Sequence, residues 1–218
     1  MHRNFYLLLF SLLFIQVAFP QAPRLQLVLD SLRMAGNFPG LSFAIVNKDN
    51  GSAAFTSGFN DREKSILLKR SDRLLQGSVG KTYVSAIALQ LIKERKINLD
   101  EKVSTYLGGF EWYIKIPNAP NITVRLLMNH TSGVMRYEFK EKFTRDLANN
   151  PSKSWKPEEL LRYILDEPGA FKAGEGWEYS DTNYILLGMI IEKVTEVKYY
   201  QLLQKSILQP LRLTNTLP

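Results

Sequence analysis

The 218-residue sequence predicts an α+β fold, one antiparallel hairpin near the start joined to a mainly helical remainder. Two observations carry that expectation. Two short β-rich runs flank Asp49-Asn50-Gly51 near the start, the signature of a hairpin. From residue 79 onward, apolar residues recur at helical and not at strand spacing. A lone hairpin is marginal in water, so helices or further strands must pack on it.

Taken in order, Leu25, Val28, Leu29 and Leu32 have helical spacing, and Gly36 ends that helix. Pro39-Gly40 leads into a strand over 41–46, and residues 53–58 return as its partner. The polar stretch 60–72 reads as a loop. Residues 79–96 read as one helix, with Val84, Ile87, Leu91 and Ile92 on its buried side and Ser78 at its N-terminus. A second helix is expected over 124–129, capped by Thr123. A third covers 157–166, with Pro157 in the tolerated first turn. A glycine-rich loop follows over 168–176. Residues 183–197 are strongly apolar, and 199–208 continue with helical spacing. No internal repeat or low-complexity segment is present.

Composition bounds the function classes. With 45% hydrophobic and 22% charged residues, the chain is globular in character. Its N-terminus differs: Arg3 precedes an uncharged apolar run over 5–19, followed by Pro20-Gln21-Ala22-Pro23. That reads as a secretory signal peptide, since a spanning helix needs about 20 residues. The expected organisation is a signal peptide over 1–22 and one domain over 23–218, exported to the periplasm or the cell exterior. The absence of cysteine excludes a disulfide framework and a thiolate metal site. With His2 and His130 the only histidines, a histidine-rich metal site is excluded as well. The net charge of +7 is interleaved with acids and reads as solubility, not as a nucleic-acid or membrane surface. No cofactor, metal or nucleic-acid partner is expected. Membrane contact is expected only through the signal segment, were it kept as an anchor.

The chemistry-bearing residues lie far apart in sequence, as Ser78-Val79-Gly80-Lys81 and Tyr179-Ser180-Asp181. A serine three residues before a lysine lies one helical turn from its amine. That amine can help take the hydroxyl proton and so activate a weak nucleophile. A helix N-terminus also favours negative charge developing there. On the pair alone, a helix cap beside a solvated lysine is the better reading. Residues 77–82 end like the phosphate-binding loop G-x-x-x-x-G-K-[ST], but Leu75 stands where that loop requires its first glycine.

Longer stretches sharpen the reading. Residues 77–100 resemble the nucleophile helix of the serine β-lactamase family, which also holds D-alanyl-D-alanine carboxypeptidases, D-amino peptidases and esterases. Pro39-Gly40, the stretch from Ile122 through Asn129-His130-Thr131-Ser132-Gly133, and Tyr179-Ser180-Asp181-Thr182-Asn183-Tyr184 are similar to the same family in the same order, most closely its class C-like branch. The resemblance implies a β-lactamase/transpeptidase-like fold, an antiparallel sheet flanked by helices plus a helical subdomain, and assigns roles. Ser78 would attack a carbonyl and form an acyl-enzyme. Lys81 would keep the local potential positive and share the proton. Tyr179 would serve as general base, first against Ser78 and then against water. His130 would belong to a structural turn below the site.

Asp181 departs from the asparagine that many members carry. An ionised aspartate accepts hydrogen bonds but donates none. It would pair with Lys81 without reaching a substrate carbonyl, which shifts the expectation from β-lactam hydrolysis towards peptide or ester substrates. After Asp181 there is no Lys-Thr-Gly or His-x-Gly, the family's third motif, carried on a C-terminal strand. The sequence therefore reads as the N-terminal portion of such an enzyme, its C-terminal strands missing. Two readings follow. One is an exported serine hydrolase acting through an acyl-enzyme on D-amino peptides, β-lactams or small esters. The other is a truncated or non-catalytic homologue that acts as a binding module.

Overall fold

The expected hairpin forms because the chain turns into an extended strand at Pro39-Gly40 and its β-rich runs pair antiparallel. In the computed structural model, residues 22–48 and 51–217 are described, and they divide into two compact units, one ending at Leu74 and the other starting at Leu75. Except for Ala22, the expected signal peptide lies outside the described residues, as do Asp49 and Asn50 of the hairpin turn.

The first unit consists of helix α1 (Ala22–Ala35) and strands β1 (Gly40–Val46), β2 (Ser52–Asp61) and β3 (Ile66–Leu67), in sheet order β1-β2-β3. Phe43 faces Phe55 across the β1–β2 ladder, their rings 6.1 Å apart. Helix α1 packs on this sheet through the buried Leu29. Its Gln26 Nε2 donates to Thr56 O at 3.1 Å, and its Arg33 Nε donates to Ser57 Oγ at 2.9 Å. The polar stretch expected to be a loop holds β3 and the end of β2. A bulge at Phe59/Asp61 lets β2 continue past Gly58, and Asp61 Oδ1 then accepts the Lys64 N–H at 3.0 Å to turn the chain. A two-residue strand is too short to show alternation in sequence.

The second unit is helical. A 3₁₀ turn (Gly77–Val79) leads into α2 (Gly80–Lys93), followed by α3 (Val103–Leu107), α4 (Val124–Met128), α5 (Glu141–Asn149), α6 (Pro157–Leu161), α7 (Asp181–Thr195) and α8 (Tyr199–Leu203), which runs on as a π-helical turn (Gln204–Leu208). Helix α7 is the centre: Leu186, Leu187, Ile190 and Ile191 are fully buried on it. They meet α2, α3, α4 and α6, which supply the buried Ile87, Leu91, Val103, Leu107, Val124, Leu127 and Leu161. Thr123 caps α4, its side chain accepting the Leu126 N–H at 3.4 Å. No helix among the described residues is long and apolar enough to cross a membrane.

Several expected boundaries move. The helix expected over 79–96 begins with a 3₁₀ turn and stops at Lys93, because Arg95 takes a left-handed conformation at φ 58°. The helix expected over 157–166 is regular only to Leu161. Helix α7 starts at Asp181, before the apolar run that announced it. Helices α3 and α5 gave no signal, the first being five residues long and the second burying only Phe143.

Candidate active site

Ser78 lies exposed on the 3₁₀ turn that opens α2, where backbone N–H groups lack intrahelical partners. Lys81, one turn further, places Nζ 3.4 Å from Ser78 Oγ. The extended backbone before α7 presents Tyr179, whose hydroxyl oxygen is 2.8 Å from Ser78 Oγ. Asp181, the first residue of α7, accepts a hydrogen bond from Lys81 Nζ through Oδ1. The Lys81 ammonium also lies 4.9 Å from the Tyr179 ring centroid and 5.8 Å from that of Tyr184. The four residues singled out in the sequence thus meet in one constellation within the second unit.

Residues 130–135 fix the N-terminal end of α7, and with it Tyr179 and Asp181. His130 O accepts the Glu178 N–H at 3.0 Å, and His130 Nδ1 accepts the Ser180 N–H at 3.2 Å. Because a backbone amide can only donate, Nδ1 is an acceptor and the ring proton sits on Nε2. The imidazole therefore stays neutral, in line with burial and the nearby Lys81 charge, which hold it below the usual histidine value. Its ring stacks between Tyr179 at 4.5 Å and Tyr184 at 5.3 Å. Ser132 Oγ donates to Asn183 Oδ1 at 2.6 Å, and Thr182 Oγ1 donates to Met135 O at 2.7 Å. This is a packing and orienting role for His130, with no contact to Ser78 among its hydrogen bonds.

The turn within this segment needs its glycine. Gly133 has φ 70°, and a Cβ there would lie 2.1 Å from Phe171 O and 2.6 Å from Asn118 Nδ2. That amide bridges Ser132 O and Phe171 O at 2.9 and 2.8 Å. Gly133→Ala is expected to destabilise the second unit by about 1–3 kcal/mol, through backbone strain and overpacking, as read from urea denaturation.

The electrostatics of the site extend beyond the motifs. Burial acts to lower the Lys81 value, but bonding to Asp181 and Tyr179 outweighs it, and the amine is held above the ordinary lysine value as an ammonium. Burial opposes the Asp181 carboxylate in the same way. Its bonds to Lys81 and Glu138, with the charges of Lys81 and Arg136, nevertheless hold it below the ordinary carboxylate value. Glu138 and Arg136 gave no sequence signal, since two residues of opposite charge at this spacing look like a surface pair. Arg136 Nε donates to Glu138 Oε1 at 2.8 Å, and the Arg136 guanidinium stacks on Phe139 at 4.1 Å. Among the described residues, no cluster of histidine, aspartate and glutamate is arranged to hold a metal ion.

The arrangement can move a proton. Ser78 Oγ accepts the Tyr179 O–H at 2.8 Å and a Lys81 N–H at 3.4 Å, so two groups able to exchange a proton with it lie within reach. Comparison with known proteins shows the family. Protein flp of Staphylococcus aureus (strain N315) is 30% identical over 183 residues, 83% of this chain and 35% of that protein. A D-stereospecific amidohydrolase from Streptomyces sp. superposes with a TM-score of 0.75 at 30% identity, covering 87% of this chain and 54% of that one. The D-amino acid amidase from Ochrobactrum anthropi SV3, in its complex with L-phenylalanine, superposes with a TM-score of 0.74 at 26% identity, covering 88% of this chain and 50% of that one. The chain spans about a third of the length of the curated relatives it matches and about half of these solved structures. The fold is β-lactamase/transpeptidase-like, and with the Beta-lactamase family matching residues 26–217, the chain belongs to that family.

Proposed function

We propose that this chain carries the nucleophile and bases of a serine hydrolase that cleaves amide or ester bonds through an acyl-enzyme. The observation that carries the reading is Ser78 Oγ, 2.8 Å from the Tyr179 hydroxyl and 3.4 Å from Lys81 Nζ. In the proposed reaction Tyr179, facing the Lys81 ammonium, acts as general base and takes the Ser78 proton while Oγ attacks the substrate carbonyl carbon. The tetrahedral intermediate collapses, the C–N or C–O bond breaks, and the leaving group takes the proton back from Tyr179. Water then attacks the Ser78 ester with Tyr179 as base, releasing the acid and restoring the hydroxyl.

The substrate class in this reading is D-amino acid amides and D-amino peptides, with small esters as alternatives. Two features support it: the relation to a D-stereospecific amidohydrolase and a D-amino acid amidase, and Asp181, which as a carboxylate offers a substrate carbonyl no donor. Export to the periplasm or cell exterior belongs to the same proposal, on the composition of residues 1–22.

Intact mass after incubation with a penicillin-type acylating probe tests the reading, on this chain and on Ser78→Ala, both shown by circular dichroism to be folded. A mass gain that requires Ser78 is the expected result. A folded chain that takes no adduct overturns it and leaves the non-catalytic binding module.

A further inference from the structure

We propose that Glu138 and Asp181 hold one proton between them and face Lys81 as a single negative charge, making Glu138 a positioning residue for the acylation centre. One buried acceptor lacks a donor: the Glu138 carboxyl accepts from Arg136 at Oε1 and from its own backbone N–H, but Oε2 is buried and has no hydrogen-bond partner. The Arg136 guanidinium is turned onto the Phe139 ring at 4.1 Å and towards Tyr179 at 5.5 Å. Lys81 is committed to Asp181 Oδ1. Besides Arg136 and its own backbone N–H, the Glu138 carboxyl has the Asp181 carboxyl as its hydrogen-bonding neighbour. Two carboxyl groups can bond only if one of them carries a proton. A buried oxygen left without that bond would cost free energy with no return.

The surroundings say which group carries it. Burial pushes Glu138 above the ordinary carboxylate value, and the adjacent Asp181 adds to the rise. Asp181 is held down by Lys81 and Arg136. Two carboxyls whose environments push them apart share out the roles of acid and base: Glu138 is the neutral donor, and Asp181 the acceptor of both its O–H and the Lys81 N–H. The other groups facing the pair do not compete. His130 is neutral and already accepts from Ser180, while burial holds Tyr137 above the ordinary phenol value. An asparagine at 181 would need no such proton, so Glu138 is the companion that an aspartate at this position requires.

The kinetic consequence rests on the proposed role of Ser78, whereas the protonation itself does not. As pH rises from the ordinary carboxylate range through the raised Glu138 value, the second charge appears beside Asp181. The pair then repels itself and draws on Lys81. Stability linked to Glu138 is complete below that window and lost as pH climbs through it. The test is carboxyl ¹³C NMR titration of the chain as it stands, alongside Glu138→Gln and Asp181→Asn. One carboxyl that keeps its proton above the ordinary range, vanishes in Glu138→Gln and returns towards the ordinary range in Asp181→Asn is expected. Ordinary titration of every carboxyl in the folded protein, or survival of the raised one in Glu138→Gln, overturns the proposal. Where Glu138→Gln does not fold, the downward return in Asp181→Asn decides alone, and no return overturns it.

In the rate of Ser78 labelling, Glu138→Ala is expected to lose about 10- to 100-fold, the worth of a hydrogen bond to a charged group. Glu138→Gln should recover most of that loss and abolish the decline at higher pH. A structural role alone would leave the decline in place. A wild-type chain that is never labelled overturns the function proposed for Ser78, while the titration still decides the shared proton.

Discussion

Lys81→Met is expected to slow acylation of Ser78 by about 100- to 10,000-fold, the range over which a positioned proton-transfer group acts. The substitution keeps the stem and removes the ammonium that sits 3.4 Å from Ser78 Oγ and 4.9 Å from the Tyr179 ring. Without it, negative charge developing at Ser78 Oγ in the attack has no cation beside it. Asp181 loses its partner at the same time. Its side chain and that of Lys81 are 29% and 18% exposed, so the loss of this ion pair should cost about 1–3 kcal/mol of stability. The two consequences separate in a double substitution. Lys81→Met with Asp181→Asn removes both charges and is expected to regain most of the stability, by urea denaturation, with no return of labelling. Labelling of Lys81→Met at the wild-type rate would leave the lysine a purely structural cation.

The same residues show what a sequence can and cannot express about a site. Ser78 and Lys81 are legible because a fixed helical spacing makes them neighbours wherever the helix forms. Tyr179 and Asp181 become legible through a longer stretch similar to a known family. Glu138 belongs to neither kind. It meets Asp181 only because the segment after Gly133 packs against the start of α7, a contact with no local signature. The fold divides in the same way. Apolar residues at helical spacing announced α7 and most of α2. Helix α5 rests on a single buried phenylalanine, and β3 is two residues that pair across a bulge. Where tertiary packing and not periodicity makes the element, the sequence alone is silent.

Ile190→Ala is the substitution expected to cost the fold most, about 2–5 kcal/mol. Ile190 is fully buried near the middle of α7, the helix on which α2, α3, α4 and α6 converge. Rigid neighbours on so many sides leave little room for collapse into the space vacated, so a cavity term adds to the lost transfer energy. Ile190→Val should cost about 0.5–1.5 kcal/mol. Leu89→Ala on α2, where the side chain is 54% exposed, should stay within about 0.5 kcal/mol of wild type. Thermal melts resolve the series, at about 2–4 °C per kcal/mol in a chain of this size. The deeper contrast is with Lys81→Met. Ile190 lies nine residues along α7 from Asp181, in a helix that follows directly on Tyr179. Ile190→Ala should therefore reduce the labelled fraction only in proportion to the molecules unfolded, with the rate per folded molecule preserved. Lys81→Met should remove that rate from molecules that are fully folded. A rate per folded molecule that falls in Ile190→Ala would mean that the α7 core sets the geometry of Tyr179 and Asp181 as well as the stability of the unit.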